Sequence, residues 1–543
     1  MDKNKPVLDA FVSGLGLLSI PFFILFIASW LFIFGFSINP FIFPISVVLS
    51  LFVIYYFTRT DRPLFIRSSL FHIFFLLIVL LVSAYVYDSS YDGQRYHQDS
   101  ISRLRDGWNP IYDSDIDARL WVKHYAKGME TISASIFCTT GNVEAGKAIN
   151  FILVFASLFF FYNFLSIYFD FLSTRKRAFL SMIFTFSTVV INQLFSYYVD
   201  WSMVSLLLIF ISTLLCLNKT QSGYYYLVAG IVVFLSVTIK FNILFWVLYV
   251  AFFFLLYLLF ARRFSCFKRS LLTFFVSGCM GLFIGAINPY VTNTINQHDP
   301  FYPLTDKVDL IEENTPPSLV GKNRIEAFLI STFSFPNNDK FATKTELALP
   351  TNLTLKNVHH SGKNDGLVGG YGLFFSWILI ASTILYILLY KTNLEKVKYY
   401  NCFLLLLLLA VFVLPLGWGA RYFPLFYAFP LIMLLYSEYE QSKKWVRYFR
   451  NGIYFLVVVN MIISIVVTLG TGIYKKRMVD DYVRTLSGST TPINIDFYGN
   501  VSFRLKLEEA GIKYYEMDVD KNPLILDTAI FSPPIYIESS KLK

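Results

Sequence analysis

Apolar stretches long enough to cross a membrane recur along this chain, from "LGLLSIPFFILFIASWLFIFGF" near the start to "GIYFLVVVNMIISIVVTLG" near the end. A helix needs about 20 mainly apolar residues to cross a hydrocarbon core of roughly 30 Å. The pattern predicts about thirteen spans, at 11–36, 40–58, 68–87, 147–170, 178–197, 201–217, 224–240, 242–261, 270–290, 370–390, 400–416, 422–437 and 452–472. Composition agrees: 56% of the 543 residues are hydrophobic and 15% charged, against roughly 25% charged in soluble domains. The alternating pattern of a β-barrel is absent, so helices must satisfy the backbone inside the lipid. The expected fold class is an all-α polytopic membrane protein. Its parts are an N-terminal transmembrane hairpin (1–67), a transmembrane region (68–472) and a small α/β module (473–543).

The first apolar segment follows "MDKNKP", is long and lacks a small-residue cleavage site, so it reads as a retained helix. Cys138, Cys216, Cys266, Cys279 and Cys402 have no CxxC or metal-ligand spacing and read as apolar filler. The net charge of +10 is explained by topology rather than by nucleic acid. Arg59, Arg62 and Arg67, then Arg175, Lys176 and Arg177, then Arg262, Arg263, Lys268 and Arg269 fall on alternate connections. The positive-inside rule then places the N-terminus in the cytoplasm and, with an odd number of spans, the C-terminus outside. Two long segments, 88–146 and 291–369, fall on the outer face with the tail. Segments of that length usually carry function or structure of their own. In the tail, "INIDFYG", "VSFRLKLEEAG" and "IKYYEMDVD" read as strand, amphipathic helix and strand.

Chemistry-bearing residues gather on this outer face. "YDGQRYHQDSI" (91–101) follows the third span and holds Asp92, Arg95, Tyr96, His97 and Asp99. Its bland reading is a solvated charge cluster at a helix end, with Asp99 or Ser100 as a cap. Ile101, Leu104 and Trp108 then follow at i, i+3 and i+7, a stripe suited to a membrane surface or to the tops of other helices. Lys240 in "TIKFN" and Arg421 in "ARYFPL" interrupt apolar sequence at the outer boundary, against the charge bias. Ionisable groups at membrane depth are costly and usually paired; snorkelling to head groups or binding a lipid phosphate would each account for them. Asp200 is a candidate second carboxylate. "HDPFYP" (298–303) reads as a rigid interfacial turn, with His298 and Tyr302 available beside the site. His359 and His360 are adjacent, but two ligands do not make a metal site.

Several of these motifs, in this order, resemble the type C (GT-C) superfamily of integral-membrane glycosyltransferases. They are D-x-x-x-Y at Asp92 to Tyr96, its continuation through Gly107, Trp108, Asn109 and Pro110, "TIKFN" at 238–242, "DPFYP" at 299–303 and "ARYFPL" at 420–425. The similarity extends over about 68–437. The resemblance implies a GT-C-like transferase in the bacterial inner membrane. It would take a sugar from a polyprenyl-phosphate donor at the outer leaflet and pass it, with inversion, to a cell-envelope glycan or lipid acceptor. It implies Asp92 as general base, Arg421 and Lys240 at the donor phosphate, and Tyr96, His97, Arg95, His298 and Tyr302 lining the site. Two departures stand out. The acidic motif follows the third rather than the first span, and it reads Asp-Gly where several branches have Asp-Glu. The second departure leaves open whether a divalent metal or a second acid, Asp99 or Asp200, takes part. No other cofactor is implied; the partners are the lipid donor, the acceptor and membrane lipids, with no nucleic acid.

An outer-leaflet polymerase or ligase would be expected to carry several arginines in its large outer loop, and 291–369 holds only Arg324. A transporter would need ionisable or helix-breaking residues in mid-span, and these spans are nearly free of charge there.

Overall fold

The computed structural model describes residues 5–113, 116–305, 314–391, 393–414, 416–489, 491–517, 523–528, 530–531 and 534–538. The protein is mainly helical, and among the described residues eight helices are long and apolar enough to cross a membrane. Four shorter apolar helices, at Ile42–Thr58, Tyr224–Ile239, Phe375–Leu389 and Pro424–Ser437, fall where spans were expected. The chain is that of a multi-pass membrane protein built as two compact units. One boundary between them, from Thr471 to Gly472, falls where the C-terminal module was expected to begin.

The first unit comprises Met1–Ser181, Phe195–Asp306 and Gly472–Lys543. Its helices begin with α1 (Lys5–Ile33), α2 (Ile42–Thr58), α3 (Arg62–Tyr85), α4 (Gln98–Arg105), α5 (Leu120–His124), α6 (Gly128–Thr140) and α7 (Ala148–Tyr168). α8 (Thr174–Thr185) runs past the end of its first stretch and α9 (Thr188–Gln193) falls in the second unit; the first unit resumes with α10 (Asp200–Thr220), α11 (Tyr224–Ile239), α12 (Phe241–Phe260), α13 (Phe264–Met280) and α14 (Thr292–Gln297). α3 starts on a side-chain cap, the Leu64 N–H donating to Asp61 at 3.0 Å, with proline tolerated in its first turn. α1 and α7 pack on each other, as do α7 and α10.

The fifth expected span is not one helix. The chain breaks at Phe186–Ser187, where Ser187 accepts a hydrogen bond from the Val190 N–H at 3.3 Å and caps the short α9. Asn192 and Gln193 then donate to the carbonyls of Ser361 and Asn364 at 2.7 and 3.0 Å. Side-chain amides with protein partners of this kind mark a buried segment rather than a lipid-facing one. The ninth expected span breaks too: α13 passes into two π-helical turns, 281–285 and 287–291, separated at Ala286. An Asn288–Pro289 pair stands in the second, and proline donates no backbone N–H to a helix.

The last expected span, 452–472, is the middle of a single 44-residue helix, Lys444–Ser487. At 1.5 Å per residue this is about 66 Å, twice a bilayer core. Its far end supplies Val479 and Leu486 to the core of the C-terminal module.

That module contains the expected strand β1 (Ile493–Asp496), helix Val501–Glu509 and strand β2 (Tyr514–Glu516); residues 518–520 of the expected second strand lie outside the described residues. Two further strands, β3 (Pro523–Ile525) and β4 (Tyr536–Glu538), complete a four-stranded sheet of order β2-β1-β4-β3. β1 and β2 run parallel, and β4 is antiparallel to β1 and β3. Ile493, Ile495, Phe503, Leu507, Phe531 and Ile537 fill its core together with Tyr87, just beyond α3. The module is thus packed onto the segment that follows α3.

The second unit, Met182–Leu194 and Lys307–Thr471, holds helices at Arg324–Phe333, Leu355–Ser361, Phe375–Leu389, Leu394–Val413 and Ala428–Ser437, with the first part of the long helix.

Candidate active site

Beyond α3 the chain turns extended at Val86 and enters a buried polar cluster. Asp88 and Glu144 are almost fully buried, as is Lys147. Lys147 donates to Glu144 and to the Val86 carbonyl, and the Asp88 carboxylate accepts from the N–H groups of Ser90 (2.8 Å) and Tyr197 (2.9 Å). Burial pushes the Asp88 carboxyl above its ordinary value; Lys147 pulls it back and Glu144 raises it further. Buried acids of this kind are tolerated because each is bonded.

Residues 93–97 form a π-helical turn that runs directly into α4. Gly93 lies against Asp88: a Cβ at 93 would stand 2.0 Å from Asp88 Oδ2 and 2.3 Å from Ser90 Oγ. The glycine of Asp92-Gly93 therefore has a local cause, since any larger residue at 93 would meet that buried carboxylate. Gln94 fixes the turn from the other side, donating to the Ile530 carbonyl at 2.8 Å and accepting from Asn500 Nδ2 at 3.0 Å.

Asp92 immediately precedes this turn and is half-buried. The other acids near it are deeper. Asp99 is buried inside the first turn of α4, where it accepts from Arg103 Nε at 2.8 Å; it is neither a cap nor exposed. His97 is buried with its Nδ1 2.6 Å from Glu130 Oε1 on α6, and the Tyr96 ring lies 4.2 Å from its ring. Ile101 and Leu104 are wholly buried and Trp108 nearly so. The apolar stripe of α4 therefore packs on α6 and on helix Val501–Glu509, each side chain contributing about 1.5–3 kcal/mol on burial.

Arg95 donates to the Tyr91 hydroxyl and stands 5.1 Å over that ring. α5 packs beside the π-helical turn, and Arg119, the residue before α5, is half-buried there with Nη2 3.3 Å from the Gly499 carbonyl. Burial lowers the Arg119 guanidinium from its ordinary value, and the neighbouring Arg95 charge lowers it further against the pull of Asp99 and Tyr91. The guanidiniums of Arg95 and Arg119 thus act on each other, with Asp99 and Tyr91 beside them. Lys127 is buried deeper, donating to the carbonyls of Lys123 and Tyr125 and to Asn288 Oδ1 at 3.1, 2.7 and 2.6 Å. Burial brings its ammonium down to about 7, with Glu130 opposing.

His298 and Tyr302 take structural places. His298 is exposed and ends α14 in a left-handed conformation. Asn293 donates to the carbonyls of Tyr302 and His124 at 2.9 and 3.1 Å, and the Tyr302 ring meets the His124 ring edge-on at 5.0 Å. The expected turn is thereby tied to α5.

Lys240 and Asp200 are brought together. The Lys240 ammonium is bonded to the Asp200 carboxylate, with the acid wholly buried and the lysine nearly so. Sequence had set one aside as a second acid and the other as a phosphate ligand; the fold gives each to the other. Arg421 belongs to the second unit. There it is mostly buried, 3.6 Å from Asp365 Oδ1 and 5.6 Å over the Tyr422 ring. His360, in the same unit, accepts the Asn338 N–H on Nδ1 at 3.0 Å.

Among the described residues, no group of three or more His, Cys, Asp or Glu side chains is placed to hold a metal ion. Arg119, Glu130, Glu144 and Lys147 were missed in the sequence. A signal existed for Lys147, a lysine at the mouth of the apolar run "AINFILVF" with Glu144 one turn earlier. None existed for Glu130, whose partner His97 is 33 residues away.

Comparison of the chain with models of known protein families finds no match, and comparison with curated proteins finds none.

Proposed function

We propose that this protein is a membrane glycosyltransferase. It moves a sugar from a polyprenyl-phosphate donor to a cell-envelope glycan or lipid acceptor at the outer leaflet of a bacterial inner membrane, with inversion. The N-terminus lies in the cytoplasm and the C-terminal module outside. The observation that carries the reading is the partial solvent access of Asp92. Within 88–99 it retains solvent access while Asp88 and Asp99 are buried, as are Glu130 and Glu144 behind them.

An acceptor hydroxyl is a weak nucleophile. As its oxygen bonds to the anomeric carbon, its proton passes to the Asp92 carboxylate, and the bond from that carbon to the phosphate oxygen breaks. The phosphate leaves with the electron pair. A positioned base contributes about 10² to 10⁴-fold. We assign stabilisation of the departing phosphate to Arg95 and Arg119, because guanidinium binds phosphate through a bidentate fork. This reading moves the donor-phosphate role away from Lys240, which Asp200 already neutralises.

The alternative of an outer-leaflet polymerase or ligase finds little support. Arg324, the one arginine of 291–369, donates to the Phe412 carbonyl at 2.7 Å and is spent on structure. The test is mass spectrometry of surface glycans from a strain lacking the protein. One sugar residue should be missing from a defined glycan or lipid while the polyprenyl-phosphate sugar accumulates. Unchanged glycans with an unchanged donor pool would reject the proposal.

A further inference from the structure

A second polar concavity lies far along the chain from the site above, where α10 and α12 end and α11 and α13 begin. It measures about 220 Å³ and is lined by Gln221, Tyr226, Arg262, Arg263, Ser265 and Arg269, with Phe264 and Cys266 completing the wall. Three guanidiniums and no carboxylate line it. Arg263 is partly committed, donating through Nη1 to the Asn218 carbonyl and to Asn218 Oδ1 at 2.7 and 2.6 Å. Arg262 is held in a left-handed conformation at φ 56°, in the tight turn that brings α13 back beside α12.

Its surroundings are apolar and open: Phe260, Phe264, Leu272 and Tyr224 are all more than half exposed. Charge bias alone would account for arginines on an exposed connection. It does not account for three of them lining one concavity. At about 220 Å³ the space is below the roughly 300–1,000 Å³ of pockets that enclose a whole drug-sized ligand, but it suits a head group whose tails lie outside. Basic pockets between membrane helices on the cytoplasmic side hold phosphate-bearing head groups.

We infer that this concavity binds the phosphate head group of an anionic glycerophospholipid, with the acyl chains lying along the exposed apolar faces of α12 and α13. The inference does not depend on the transfer reaction.

The test uses the full chain in detergent, with short-chain phosphatidylglycerol, short-chain phosphatidylcholine and inorganic phosphate as probes and native mass spectrometry as readout. Phosphatidylglycerol should be retained about tenfold over phosphatidylcholine, should resist competition by inorganic phosphate, and should lose that preference in Arg262→Gln/Arg269→Gln. Arg263 is left intact because it ties α10 to the turn. If the double variant does not fold, Ser265→Asp places a negative charge in the cavity without removing an arginine and should abolish the preference equally. Equal retention of the two lipids, displacement by inorganic phosphate at comparable concentration, or a preference that survives the folded variants would overturn the inference.

Discussion

Asn500 Nδ2 donates to Gln94 Oε1 at 3.0 Å, so the C-terminal module holds the turn that begins at Asp92. Asn500 also caps helix Val501–Glu509 through the Phe503 N–H at 3.2 Å. Asn500→Ala removes both bonds. A lost cap costs about 1 kcal/mol and an orphaned buried amide about 1–3. The thermal midpoint should therefore fall, and transfer activity should fall further than the fraction unfolded explains. An activity loss that merely tracks unfolding would mean that the module does not position the turn.

Lys240→Met leaves the wholly buried Asp200 carboxylate without its cation, a change that typically costs about 3–5 kcal/mol. Lys240→Met/Asp200→Leu removes both charges and should recover most of that stability, since an ion pair replaced by apolar groups is often neutral. The recovered double variant should still transfer sugar. If it folds like the wild type yet has lost affinity for the lipid donor, Lys240 contacts the phosphate after all.

How much of this was legible in the sequence follows from the range of the forces involved. Hydropathy located twelve helical segments close to their observed positions because lipid burial is a local, additive property of side chains. It failed at 178–197, where Ser187 caps a new short helix and Asn192 and Gln193 find partners far along the chain. The strand, helix and strand of 493–516 were readable from periodicity; β3 and β4 were not. At the site, Asp92 and Arg95 stood out by position. The Lys240–Asp200 and His97–Glu130 pairs did not, because pairing across 40 and 33 residues leaves no mark on spacing.

Gly93 can be tested by the smallest possible change. The Cβ of Gly93→Ala meets Asp88 Oδ2, and Asp88 is held by the Ser90 and Tyr197 amides, so it cannot retreat cheaply. Overpacking of this kind costs about 1–3 kcal/mol. Chemical denaturation should show a lower midpoint for Gly93→Ala and a still lower one for Gly93→Glu. Equal midpoints for wild type and both variants would contradict the close approach of the turn to Asp88.

His360 makes stability depend on pH. Its Nδ1 accepts the Asn338 N–H at 3.0 Å, which only the unprotonated nitrogen can do. Burial first, then Lys363, Lys356 and His359, bring it down to about 4. Between pH 6.5 and 4 the unfolded chain binds this proton and the folded chain does not, so stability is lost as pH falls through that window. Thermal midpoints measured from pH 7 to 4 should decline, and His360→Asn should decline less steeply. Parallel curves would remove His360 from the account.

The central claim is that Asp92 takes the proton of the acceptor hydroxyl, and the direct measurement is single-turnover transfer by full-length Asp92→Asn in membrane vesicles loaded with the polyprenyl-phosphate sugar. Asparagine keeps the shape and loses the basicity. The account predicts a rate at least about 10²-fold below wild type, with membrane expression, thermal midpoint and donor binding unchanged. A variant that turns over near the wild-type rate would contradict it.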